Sequence, residues 1–236
     1  MKNQILILVI VMVSLSSCSV LQKSNNVESI EGYHFIKEQG KKEWVYIDNI
    51  EDSMVVYATR EVQKKAIVDT TKAHYVLPEV AKGAVKNNMT FGKTSFDLDF
   101  ITIPVKLRLR EGDVASQINS TLNGALYFGH RKDLYHVQYD DHPLGKNIRN
   151  IRHFGFSYGA FAGIGNTFMS PTNTRNLLDQ EYDGIVLSYG VAGIVGINKF
   201  TVGVSFGFDR LLDENKKIWI YENRPWYGLT FGLNLN

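Results

Sequence analysis

Phe154-Gly155-Phe156-Ser157-Tyr158-Gly159-Ala160-Phe161-Ala162-Gly163-Ile164 decides the fold. Its even positions are Phe154, Phe156, Tyr158, Ala160, Ala162 and Ile164, and its odd positions are Gly155, Ser157, Gly159, Phe161 and Gly163. A period of two is the signature of a β-strand with chemically distinct faces. Phe200 to Phe208 repeats the pattern, with Phe200, Val202, Val204, Phe206 and Phe208 set against Thr201, Gly203, Ser205 and Gly207. Trp226 to Leu235 does so again, and Ile185 to Ile197 is a looser case, joined to the strand at Phe200 by a two-residue Asn198-Lys199 turn.

The second face carries the argument further. In a soluble sandwich or barrel the outward face meets water and carries Lys, Glu, Asp and Thr. Here it carries Gly, Ser, Thr and Asn, and from Gly184 to Phe208 the only charged residue is Lys199. A bulky apolar face opposite a small, weakly polar one suits a sheet with lipid outside and a narrow lumen inside. Lipid then requires closure, because unpaired backbone groups in hydrocarbon cost several kcal/mol each. A lipid-tethered soluble barrel is the alternative.

Two further segments place charge on the inner face. Asp97 and Asp99 alternate with Phe96, Leu98 and Phe100, after which the apolar set moves to Ile101, Ile103, Val105, Leu107 and Leu109. The phase slips by one residue beside Pro104, which predicts a bulged strand with Asp97, Asp99, Lys106 and Arg108 all facing inward. Leu122–Phe128 and Tyr135–Tyr139 read as another strand pair joined through His130-Arg131-Lys132-Asp133, with Asn123, Tyr127, His136 and Gln138 inward. Asp209 completes the inner set. Such charges must be paired, and the plainest use of the set is an ion-pair network that plugs the lumen.

Asp99-Phe100-Ile101-Thr102-Ile103-Pro104-Val105-Lys106-Leu107 resembles the aromatic–Leu-x-Ile-Pro-aliphatic strand of small outer-membrane β-barrels of the OmpA/OmpX-like kind, and Trp226–Leu235 is similar to their closing strand. The resemblance covers about Thr94 to Asn236. Seven strands are legible, at 95–109, 117–129, 133–140, 152–166, 184–197, 200–209 and 226–235. An even number is expected of a barrel whose two ends lie in the periplasm, so an eighth is placed near Asn87–Phe91, turning at Gly92-Lys93. The expected fold is all-β: a closed antiparallel transmembrane barrel of about eight strands at 86–236, preceded by a small β-rich periplasmic module at 30–85. With eight strands, side chains fill the interior and leave no open pore.

The N-terminus supplies an address. Met1-Lys2-Asn3 is a short basic region, and Ile5–Val13 is an apolar run too short for a spanning helix, which needs about 20 residues. Leu15-Ser16-Ser17-Cys18 resembles the bacterial lipobox, which implies a signal peptide at 1–17, cleavage before Cys18 and diacylation of its thiol. Residues 18–29 then read as a tether. Each buried methylene of the acyl chains contributes about 0.8 kcal/mol to anchoring. These readings place the protein in the bacterial outer membrane, with its lipid as a partner.

Averages over the chain conceal this division. The protein has 236 residues, 44% hydrophobic and 21% charged, with a net charge of +2 that gives no electrostatic reason to expect nucleic acid. Of its 20 glycines 16 fall after Thr94, whereas 21 of its 50 charged residues fall between Ser19 and Lys93. That charge-rich segment carries the short runs Tyr33–Ile36, Trp44–Ile47 and Met54–Tyr57, while Lys64–Lys86 shows no clear period and is expected to cross over or remain partly loop.

No catalytic, metal or cofactor residue is assigned. Gly155-Phe156-Ser157-Tyr158-Gly159 and Gly203-Val204-Ser205-Phe206-Gly207 match the G-x-S-x-G nucleophile string, but the strand–turn–helix context of an elbow is missing and alternation alone generates it. His136, His142 and His153 with Asp140 and Asp141 match no compact ligand spacing. The expected role is therefore non-enzymatic, envelope-structural or surface-interacting, with partners met through loops 169–183 and 209–224. The rivals are a lipid-modifying deacylase- or acyltransferase-like barrel, which needs a Ser–His pair, and a small channel. A Cys18→Ala variant is expected to lose acyl-chain labelling and accumulate as uncleaved precursor on denaturing gels.

Overall fold

The structure is a computed structural model describing residues 30–38, 41–62, 65–81, 88–197 and 200–233. The expected signal peptide, Cys18, the expected tether and the Asn198-Lys199 dipeptide lie outside them. Twelve strands form, each pairing antiparallel: β1 (Gly32–Glu38), β2 (Lys41–Ile50), β3 (Ser53–Val62), β4 (Lys65–Pro78), β5 (Val80–Ala81), β6 (Met89–Arg108), β7 (Gln117–Ser120), β8 (Asn123–His142), β9 (Lys146–Met169), β10 (Tyr182–Ile197), β11 (Phe200–Leu211) and β12 (Pro225–Leu233). The chain divides into two compact units. The smaller comprises Val45–Glu79 with the residues up to Tyr33; the larger takes His34–Trp44 together with everything from Val80. Boundaries between the units thus fall at Tyr33/His34, Trp44/Val45 and Glu79/Val80.

In the smaller unit, β2, β3 and β4 form a meander. Ile50 faces Ser53 across a tight turn in which Glu51 adopts a positive φ of 52°. Val45, Ile47, Met54, Val56 and Leu77 form its buried side. Of Lys64–Lys86, expected to cross over or remain partly loop, Lys65–Pro78 is the 14-residue strand β4 and Val80–Ala81 the short strand β5, while 64 and 82–86 lie outside the described residues. The register of β4 against β3 shifts between Val56 and Tyr57 and again between Tyr57 and Thr59, so its two faces exchange along its length and no single period survives in the sequence. On it, the hydroxyl and amide of Thr71, together with Arg60 at 2.7 Å, hold Asp69 below the ordinary carboxylate pKa.

In the larger unit the pairings run β6–β8–β9–β10–β11–β12, and β12 pairs with β6 again, so the sequence of partners returns to its first strand. Six strands make this cycle, against the eight expected. Two proposed turns are absent. Gly92-Lys93 lies inside β6, where Gly92 faces Phe35 of β1 and leaves room for its ring; a Cβ there would overlap the ring carbons. His130–Asp133 lies inside β8, where Arg131 and Asp133 share a face and bond at 2.8 Å. A charged tetrapeptide read as a turn is instead an i, i+2 ion pair in a continuous strand. Expected strands 87–91 and 95–109 therefore merge into β6, and 133–140 merges into β8.

The phase slip of β6 is real but displaced. Ile101 and Ile103 are buried with Asp97 and Asp99, and the burial alternation reverses only between Ile103 and Lys106. Opposite this point, Leu229 and Phe231 of β12 pair with Val105 and Thr102, so β6 carries the extra residue of a bulge. Pro104, which has no N–H to donate, sits inside it. Hydrophobicity could not locate the slip, because both faces are apolar from Phe100 to Val105.

Where β8 and β9 face each other at Gly129 and Gly159, a Cβ on Gly159 would run into the carbonyl oxygen of Phe128, whereas a Cβ on Gly193 would meet open space. Gly159→Ala is expected to destabilise the fold by about 1–3 kcal/mol, as overpacking does, and Gly193→Ala by no more than about 0.5 kcal/mol, as at unconstrained surface sites. Denaturant unfolding followed by tryptophan fluorescence measures both.

Candidate functional site

The interior of the strand cycle is layered. At the end closed by the long loops, the bulge turns Lys106 and Arg108 of β6 inward, and the β10–β11 register sets Ser188 directly opposite Asp209. Lys106 Nζ donates to Asp209 Oδ1 at 2.9 Å, to Oδ2 at 3.0 Å and to Ser188 Oγ at 2.9 Å, while Ser188 donates to Asp209 Oδ1 at 2.7 Å. Arg108 donates to Asp209 Oδ2. Lys106 and Asp209 are fully buried and Arg108 is nearly so. Aromatic faces complete the cation environment: Lys106 Nζ lies 4.5 Å from the Trp226 ring centroid, and the Arg108 guanidinium lies 5.1 Å and 5.3 Å from those of Trp219 and Tyr221. One carboxylate thus binds two cations.

Over this network lies an apolar cap of Met169, Val186, Leu211, Trp219, Ile220 and Tyr221. The loops that build it are tied down. Ile220 N bonds Asn173 O at 3.0 Å, Leu211 N bonds Glu222 Oε2 at 2.9 Å, Tyr182 donates to Asp213 Oδ2 at 2.8 Å, and Arg224 pairs with Glu111 at 2.8 Å. Loops 169–183 and 209–224 fold onto the strand ends.

Below the charges, Ile101, Ile103, Ala125, Tyr127, Phe161, Ala192, Ile194 and Trp226 pack into an apolar layer. Tyr127 shares a 2.8 Å hydrogen bond with Ser157, and Asn123 Nδ2 donates to Ile103 O at 3.1 Å and to Thr121. Towards the β8–β9 and β10–β11 hairpins comes a second polar layer. There Asp133 Oδ1 meets Arg131 Nε at 2.8 Å and His153 Nε2 at 2.7 Å, and Asp97 and Asp99 line a small open recess.

Of the residues expected on the inner face, Asp97, Asp99, Lys106, Arg108, Asn123, Tyr127 and Asp209 are buried there. His136 and Gln138 are not. Because β8 is continuous, its even positions share the exposed face of Leu126 and Phe128, and the buried residues beyond the supposed turn are Asp133, Tyr135, Val137 and Tyr139. His136 instead meets Thr90 at 3.0 Å and Gln138 bonds Asp140 at 2.9 Å. The Arg131–Asp133–His153 group was hidden by the same false turn; counting by twos from Tyr127 finds Arg131 and Asp133. Ser188 and Trp226 were legible by parity in their strands but carry no motif.

The serine strings hold no Ser–His pair. Ser157 bonds Tyr127, and Ser205 Oγ is buried with no hydrogen-bond partner among the described residues. His142 caps its own turn through Leu144 N at 3.3 Å, His153 is committed to Asp133, and Asp140 to Gln138 and Asn150. Among the described residues no three His, Cys, Asp or Glu side chains converge as metal ligands.

Comparison with protein-family models, curated proteins and solved structures finds no match.

Asp209→Ala leaves Lys106 and Arg108 buried without a carboxylate, and is expected to cost about 3–5 kcal/mol, the range for breaking a buried pair from one side. Lys106→Met leaves Asp209 paired with Arg108 and bonded to Ser188, and should cost less. Guanidinium unfolding midpoints of the two variants check the order.

Proposed function

We propose that residues from Met89 onward form a transmembrane β-barrel in a bacterial outer membrane, held also by lipid on Cys18, and that its role is non-enzymatic: structural in the envelope, or interacting at the surface through loops 169–183 and 209–224. The observation that carries this reading is the exposed face. Phe96, Leu98, Phe100, Leu126, Phe128, Phe154, Phe156, Tyr158, Ile164, Val191, Val204, Tyr227, Leu229 and Phe231 are all exposed, contributed by every strand of the cycle. Soluble proteins rarely leave contiguous apolar patches of more than a few hundred Å² open to water. Hydrocarbon is the environment in which this face costs nothing.

Dimensions and backbone agree with that solvent. A tilted spanning strand needs about 9–11 residues, and the shortest strand of the cycle, β12, has 9. Each strand finds partners on both sides, the condition lipid imposes on backbone groups. Six strands are fewer than the eight of the smaller bacterial barrels, and the narrower interior accounts for the Gly, Ser and Ala that line it. An apolar layer between two polar ones leaves no continuous wet path, which weighs against the channel. The lipid-modifying enzyme has lost the Ser–His proximity it required.

Fractionation separates insertion from tethering. The Cys18→Ala protein, exported behind a conventional cleavable signal, is expected to stay with outer membranes through carbonate extraction and to migrate faster in detergent gels when unheated. Release into the soluble fraction would mean a lipid-tethered soluble barrel.

A further inference from the structure

We infer that the recess at the hairpin end of the strand cycle, framed by Asp97 and Asp99, binds a hard divalent cation through oxygen ligands. The starting point is an electrostatic imbalance. Asp97 and Asp99 stand two residues apart on one face of β6, with exposures of 3% and 7%. Neither makes an ion pair among the described residues: Arg131, whose charge attracts Asp99, is itself bonded to Asp133, and Asp133 and Asp209 each meet two basic side chains. Asp97 Oδ1 is buried without a hydrogen-bond partner, and Asp99 has only the Phe100 amide, at 2.8 Å on Oδ1. Two adjacent buried carboxylates in this state cost several kcal/mol unless something positive joins them.

The surroundings provide room and the right chemistry. Both carboxylates line the recess with Ser157, Thr201, Gly155, Gly196, Ile194 and Arg131. Arg131, part of the same lining, is held by Asp133 through Nε at 2.8 Å. Apart from the Arg131 guanidinium, the polar wall supplies carboxylate and hydroxyl oxygens and includes no imidazole or thiolate, a set that suits Ca²⁺ or Mg²⁺ over zinc or copper. A divalent ion balances two carboxylates, and water can complete its shell through the open mouth. Gly155 keeps the wall open, since a Cβ there would press on Asp133 Oδ1 at 2.9 Å and on Arg131 at 3.2 Å. The inference rests on strand pairing and is independent of membrane insertion.

Terbium reads the site directly, because Tyr127 is hydrogen-bonded to Ser157 in the recess wall and can sensitise a bound lanthanide. The full chain, folded in detergent micelles, is expected to give saturable Tb³⁺ emission on tyrosine excitation, displaced by Ca²⁺ at up to about 1 mM. The double variant Asp97→Asn/Asp99→Asn should weaken binding at least about tenfold, and Asp140→Asn, on the β8–β9 hairpin, should not. Near-UV circular dichroism establishes that each variant is folded, and Asp97→Asn alone serves if the double variant is not. Equal emission from the parent and the Asp97 variants would overturn the site as adventitious. So would the absence of saturable emission and of Ca²⁺ binding by calorimetry, which would leave the two carboxylates sharing a proton.

Discussion

A carboxylate buried among strands must be neutralised where it stands, and much of the interior follows from how Asp209 meets that requirement. It accepts from Lys106, Arg108 and Ser188, so three strands of the cycle converge on two oxygens. Losing either ion pair strands a cation in a low-dielectric interior, and losing the Ser188 bond leaves a buried hydroxyl unmatched, which specifies the relative register of β6, β10 and β11 more tightly than apolar contacts, which tolerate sliding, could do. The bulge at Pro104 is part of the same device. Without the extra residue, Lys106 and Arg108 would face outward and Asp209 would have no partner among the strand cations.

The aromatic residues around the network extend its reach. Trp226 lies beneath Lys106, while Trp219 and Tyr221, from the loop after β11, cover Arg108. Cation–π contact couples a surface loop to the buried charges, so the loop is ordered by the interior it covers. A surface built this way presents a defined shape, which suits recognition better than a mobile loop would. The apolar layer below then divides the interior, with cations in excess on the loop side and carboxylates in excess on the hairpin side.

The sequence and the structure agree best where alternation is simple. From Arg152 to Ile164 of β9 and along β11 the period of two runs unbroken, and burial follows the letters. They part where a residue type serves two purposes. Gly92 and the charges at 130–133 carry the composition of turns, but they lie within strands, because Gly92 accommodates the Phe35 ring and Arg131 neutralises Asp133. One false turn reset the count along β8, and His136 and Gln138 exchanged faces with the residues that are buried. In β4 the register shifts erased the period altogether.

The sequence by itself determined that strands dominate, which face of most of them is apolar, and that Lys106, Arg108 and Asp209 lie on the other. These properties are local: side chains alternate along any extended backbone, and a buried charge needs a partner wherever it lies. Only the tertiary structure decided that the pairing cycle has six strands, that β6 and β8 run through their apparent turns, that Asp209 bonds both cations, and that Asp97 and Asp99 form no ion pair among the described residues. Those outcomes depend on register between segments that are in places more than a hundred residues apart, and no short-range pattern records where two distant strands come to lie side by side.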